Sequence, residues 1–93
     1  MRVIDRASAF KRDYKREAKG QHRTTLDNVL KPVLVALATD QPLDAKRRDH
    51  DLSGDWAGYR ECHVKPDLLL IYRKPDADTL RLARLGSHSE VFG

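Results

Sequence analysis

Three of the four histidines in this chain, His50, His63 and His88, lie in segments rich in Gly, Trp and charge. Imidazole is the side chain whose ordinary pKa lets it take and give protons near neutral pH. Asp67, following Pro66, adds a carboxylate able to act as a base or to orient an imidazole. Such a set suits cleavage of a polyanion, RNA above all. An RNA 2′-OH can attack its own phosphate when a base takes its proton, an acid protonates the leaving 5′-oxygen and positive charge steadies the phosphate. His50, His63, Asp67 and His88 are the base and acid candidates, with the order among them open. Arg84 offers a guanidinium fork for two phosphate oxygens. Phe92 can stack on a base, a contact worth about 1–3 kcal/mol.

Each residue also has a plainer reading. His63, between Cys62 and Val64, fits a half-buried strand histidine, and His50 fits a loop histidine held by Asp49 or Asp51. Asp67 is a common turn residue type. Phe92 fits a cap on the core, and Trp56 reads as core or interface. Cys62 reads as a small apolar filler, and His22, among Lys and Arg, as solvated. A metal set is plausible by residue type, but no short His-x-x-x-His or His-x-His pair supports one. No metal or other cofactor is expected.

Ninety-three residues make one domain, 1–93, near the lower limit for a single core. Charged residues are 34% of the chain, and Lys plus Arg exceed Asp plus Glu, 18 to 14, for a net +4. That balance favours a nucleic-acid partner over a membrane or cationic one. Lys11, Arg12, Lys15, Arg16, Lys46, Arg47 and Arg48 are the candidate phosphate contacts. One cysteine excludes an intrachain disulfide and a Cys-rich zinc site. The charged start Met1–Arg6 lacks the apolar run of a signal peptide, and Val33–Ala38 is too short to span a bilayer. A soluble, cytoplasmic protein is expected.

The elements that must position these groups are legible in the periodicities. Val3-Ile4 suits a short strand, and Ser8 an N-cap for a helix carrying Phe10, Tyr14 and Ala18 and ended by Gly20. Leu26, Val29, Leu30, Val33, Leu34 and Leu37 form one apolar stripe, predicting a second helix, capped by Thr24 or Thr25 and bent at Pro32. Ala45–Asp51 is polar loop. Trp56–Val64, Leu68–Arg73 and Thr79–Leu85 read as strands joined by turns at Lys65-Pro66-Asp67 and Lys74–Asp78, hence antiparallel hairpins. In the last strand Leu80, Leu82 and Arg84 alternate with Arg81, Ala83 and Leu85. Ser87-His88-Ser89-Glu90 has capping-box spacing for a terminal helical turn. An α+β domain follows, its two-helix hairpin packed on one face of an antiparallel sheet and the other face free for function.

Two segments, Asp49–Tyr72 and Gly86–Phe92, together resemble the signature of the YafQ branch of the RelE toxin superfamily. The leading strand and helical hairpin match in order and length, so the resemblance spans essentially the whole chain. It implies a RelE-like fold and a ribosome-dependent mRNA interferase, the toxin of a bacterial toxin–antitoxin pair, with ribosome, mRNA and a cognate antitoxin as partners. The family's functional residues fall on His50, His63, Asp67, His88 and Phe92. Many relatives carry Trp after the Pro-Asp pair, where this chain has Leu68. A non-nucleolytic toxin on the same fold, or a plain RNA-binding module, are the competing readings. The histidine set argues against the first and the scarcity of aromatics against the second.

Overall fold

The apolar stripe of residues 26–37 forms one unbroken helix, α2 (Leu26–Ala38), that runs through Pro32. Pro32 lies on the exposed side, while Leu26, Leu30, Val33 and Leu37 are buried. Helix α1 (Ser8–Lys19) precedes it. The computed structural model describes all residues 1–93 and adds a five-stranded sheet: β1 (Val3–Arg6), β2 (His50–Asp51), β3 (Arg60–Lys65), β4 (Leu68–Arg73) and β5 (Thr79–Gly86). A five-residue helix, α3 (His88–Phe92), closes the chain. The strand order is β1-β5-β4-β3-β2.

The expected meander β3-β4-β5 is antiparallel. The sheet as a whole is mixed, however, because β1 lies parallel to β5, with Val3 opposite Thr79. The chain enters along the far edge of β5 and leads directly into α1. Ala7 donates its N–H to the Leu82 carbonyl and accepts from Lys11, so the helix starts off the strand. Ser8 is therefore the first helical residue and not its cap; the residue before it, Ala7, makes no side-chain cap bond. Thr25 does stand before α2, but its hydroxyl does not cap the helix. It accepts from Lys65 Nζ at 2.6 Å instead.

Trp56 lies outside the strands, in a 3₁₀ turn at Gly54–Trp56, and β3 begins only at Arg60. The break is backbone-driven: Gly54 and Gly58 both have positive φ, 65° and 91°, a region glycine enters without steric cost. The polar run before it, expected as loop, contains a 3₁₀ turn at Ala45–Arg47 and supplies edge strand β2. Tyr72 Oη donates to Asp49 at 2.5 Å, and Arg60 pairs with Asp49 and Asp51. Burial and the Asp49 hydrogen bond push the Tyr72 phenol up. A strand of two polar residues is a poor template for further pairing.

Helices α1 and α2 cover one face of the sheet, where Phe10, Leu26, Leu30, Val33, Leu37, Cys62, Val64, Leu68, Leu70, Tyr72, Leu80, Leu82 and Leu85 form the main core. Leu85 joins Leu80 and Leu82, against the simple alternation. The register runs Tyr72↔Leu82 and then Ile71↔Arg84, so Ala83 is a bulge residue that shifts the side-chain phase by one. The opposite face is not left bare. Ile71, Ala83 and Val91 pack there with Leu52, Trp56 and Tyr59, so α3 and the 52–59 loop cover part of it.

Helix α1 buries two acids beside Phe10, a feature its apolar spacing hides: Asp13 and Glu17. Asp13 Oδ2 accepts from the Leu85 backbone N–H at 3.0 Å and from Arg84 Nε at 2.7 Å. Its Oδ1 accepts from Arg84 Nη2 at 3.3 Å and Arg16 Nη1 at 3.1 Å. One carboxylate thus ties α1 to the strand just beyond the bulge. Asp13→Ala should cost on the order of 3 kcal/mol in denaturant unfolding, since it leaves the Arg84 guanidinium and the buried Leu85 N–H without their carboxylate. An unchanged midpoint would remove Asp13 from that role.

Candidate functional site

The β3–β4 hairpin and α3 between them build a cleft of about 580 Å³, lined by His63, Pro66, Asp67, Leu69, His88 and Phe92 among others. His63 sits on β3 opposite Leu69 of β4. The sheet register shifts between His63 and Lys65, which re-aims the chain into the turn that presents Asp67. On the far wall the capping box holds α3: Ser87 Oγ accepts from the Glu90 N–H at 3.2 Å, and Glu90 Oε1 accepts from the Ser87 N–H at 2.8 Å. His88 and Phe92 lie one turn apart on α3, their rings 4.8 Å apart, and Trp56 meets Phe92 edge-on at 6.3 Å. Phe92 remains 37% exposed, so part of its surface is available to a base.

Three of the four expected proton-transfer groups therefore share one cleft. His50 does not line it. Its Nδ1 lies 2.7 Å from the Arg48 carbonyl and its Nε2 3.2 Å from Oε2 of buried Glu61. Its side chain is half exposed, so the ring is paired with Glu61 at the surface.

A second groove shares His63 and Pro66 with the first and is walled by Lys46, Arg47, Arg48 and Lys65. Arg47 is partly committed, donating to the Val64 carbonyl at 2.6 Å. Lys46 and Arg48 are exposed. The two grooves adjoin at His63 and Pro66, one walled by basic residues and the other by aromatic ones. Arg84, expected as a phosphate fork, spends Nε and Nη2 on Asp13. Arg16 is likewise engaged, by Asp13, Glu17, Glu90 and the Leu85 carbonyl. It lies across Gly86, where an added Cβ would come within 2.7 Å of its Nη2.

Leu68 is fully buried in the main core, so the residue after the Pro-Asp pair faces the helices and not the cleft. Cys62 is equally buried, and loss of solvent pushes its thiol up to about 12, as suits a filler. His22 departs from expectation: it is buried at 5% exposure, not solvated. It stands beside Asp67, with Gln21 and Lys65 around it. Neither His22 nor buried Glu61 belongs to a periodic pattern, so spacing gave no signal for either.

The family profile described as the bacterial toxin of type II toxin–antitoxin system, YafQ, matches residues 2–93. The chain belongs to the YafQ toxin family. It is 39% identical to the mRNA interferase toxin YafQ of Escherichia coli K12 over 93 residues, 98% of this chain and all of the relative. The YafQ fold recurs in the crystal structure of the E. coli DinJ–YafQ complex, with a TM-score of 0.83 and 37% identity over the full length of both chains. A metal-bound toxin from Helicobacter pylori matches with a TM-score of 0.81 and 43% identity, covering 99% of this chain and all of that one. In the present chain no three His, Cys, Asp or Glu side chains lie close enough together to form a metal-binding group. No helix is long and apolar enough to cross a membrane.

Glu90 links the cleft wall to the fold, because the same side chain closes the capping box and pairs with Arg16 at 3.1 Å. The Ser87 backbone N–H, first, and then the Ser87 hydroxyl and Arg16 hold its carboxyl below the ordinary value of 4.5. A depressed acid stabilises the folded state fully above its unfolded pKa and loses that contribution as pH falls through the folded one. The stability of α3 should therefore be level above about pH 4.5 and fall below it. Glu90→Gln should abolish this acid-side loss, as read from thermal melts across pH 3–7. A parallel acid loss in the variant would assign it to other carboxylates.

Proposed function

We propose that this chain is a ribosome-dependent mRNA interferase that cleaves translated mRNA by side-chain acid–base catalysis. The observation that carries the reading is the convergence of His63, Asp67 and His88 in one cleft, which shares His63 and Pro66 with a groove walled by Lys46, Arg47 and Arg48; we read the two as one channel. A single RNA strand laid along this channel has phosphates over the basic end and its scissile bond between the two imidazoles. One group of the set takes the proton of the 2′-OH, whose oxygen bonds to phosphorus. The P–O5′ bond breaks, and a protonated imidazole supplies the proton to the departing 5′-oxygen. The products are a 2′,3′-cyclic phosphate and a 5′-OH. Phe92 offers a stacking face at the aromatic end. Arg84, paired with Asp13, takes no part in phosphate binding on this reading, and His50 lies outside the cleft, paired with Glu61.

The family and the DinJ–YafQ assembly of its relative support a cognate antitoxin for this chain, with a heteromeric toxin–antitoxin complex as the resting form. An acidic segment that folds as it binds would meet the exposed lysines and arginines beside the cleft. A substrate held on translating ribosomes places the protein in the cytoplasm.

On programmed ribosomes the protein should cut mRNA to ends bearing a cyclic or 3′-phosphate and a 5′-OH. Cleavage should persist with a zinc-selective chelator that leaves magnesium in place. Loss of cleavage under that chelator, restored by zinc, would defeat the side-chain mechanism. His63→Ala, Asp67→Ala and His88→Ala should each reduce the rate about 10²–10⁴-fold without unfolding the protein; parental rates would defeat the site assignment. Ribosome affinity should also drop steeply with added salt and less steeply in a Lys46→Ala, Arg48→Ala double variant. Identical slopes would mark those charges as mere surface.

A further inference from the structure

The loop between α1 and α2 places a buried histidine behind Asp67, where the cleavage chemistry above has no use for it. His22 is 5% exposed. Its Nδ1 lies 3.2 Å from Lys65 Nζ, which also donates to Thr25 Oγ1 at 2.6 Å. On the other side of the ring, Nε2 faces Asp67 Oδ1 at 3.7 Å. Gln21 Nε2 donates to Asp67 Oδ2 at 3.1 Å and lies 3.3 Å from His22 Nε2.

The donor inventory decides the tautomer. An ammonium group has protons to give and no lone pair to accept with. Nδ1, facing Lys65, is therefore the acceptor, and the ring proton of neutral His22 sits on Nε2. That N–H cannot accept from Gln21, so the Gln21 amide gives its proton to Asp67 alone, and the Nε2–H looks at the other carboxylate oxygen. Asp67 thus accepts one hydrogen bond from Gln21 and has the Nε2–H of His22 facing it at 3.7 Å, both from one loop. Without them, its 58% exposed side chain would sample several rotamers over the cleft.

We propose that His22 is a positioning residue for Asp67, its Nε2–H tautomer fixed by Lys65 so that it holds the carboxylate in the orientation the cleft uses. The proposal rests on the reading of Asp67 as a member of the cleavage site. A misaligned catalytic group costs rate more than it costs binding. His22→Leu should accordingly lower kcat about 10- to 100-fold with the KM for programmed ribosomes unchanged. His22→Gln, whose amide nitrogen falls where Nε2 was, should recover most of the loss. In an Asp67→Asn background His22→Leu should cost little more, since residues acting through one another are non-additive.

Additive losses, or a folded His22→Gln as slow as His22→Leu, would overturn the proposal. A readout independent of cleavage is the ¹⁵N imidazole spectrum of the intact protein. It should show His22 as the Nε2–H tautomer, with its signals displaced by Asp67→Ala. An Nδ1–H tautomer would overturn the positioning role alone, whatever the cleavage activity. A parental rate for Asp67→Asn would instead fell the site reading beneath it.

Discussion

The Asp13 carboxylate is the junction on which the rest of the molecule hangs. It takes the backbone N–H of Leu85 and a guanidinium from Arg84, and shares Arg16 with Glu17 and Glu90. Four features of the fold meet there: α1, the bulge of β5, the close approach at Gly86, and the cap of α3. The bulge puts Leu85 into the core, and the chain beyond it turns immediately into the helix that carries His88 and Phe92. Burying such a charge is costly unless its lone pairs are filled. Here two arginines and an amide fill them, and the helix that walls the cleft is held through the same cluster.

Positive charge in this protein consequently divides into two populations. Arg16, Arg84 and Arg60 complete internal ion pairs, and Arg47 caps a carbonyl of β3. Lys46 and Arg48 remain exposed beside the channel. A count of lysines and arginines sums the two, although only the second population adds to the field a polyanion meets. The chain's basicity is partly a structural expense, which is why counting lysines and arginines overstates the surface offered to RNA.

Much of this was legible in the amino-acid order. The 3.6-residue stripe of α2, the last two meander strands and the Ser87–Glu90 box stand where their patterns place them, the first meander strand starts four residues later than its pattern, and His63, Asp67, His88 and Phe92 do share a cleft. What escaped was whatever depends on partners remote in sequence. Periodicity assigns polar residues to the outside, so Asp13, Glu17 and His22 were hidden although all three are buried. The phase shift at Ala83 has no local signature, because a bulge is defined by the opposite strand. The two-residue β2 owes its pairing to Arg60 and Tyr72, and the parallel seating of β1 to a strand that follows much later. His50 was grouped with the other histidines by type, yet the register sets it against Glu61.

The parallel pairing of β1 with β5 also orders events in time. Asp5 and Arg81, joined across that pair, are 76 residues apart, and Val3 meets Thr79 in the same register. At the usual pace of synthesis, about 5–20 residues per second, the first strand waits several seconds for its mate. Until then α1 has no β5 to dock on, Asp13 has neither Arg84 nor the Leu85 amide, and the α3 wall does not exist. A nascent chain thus carries its histidines on an unfinished scaffold. Because β5 and α3 complete the core and the cleft alike, the two come into being together, with the last residues of the chain.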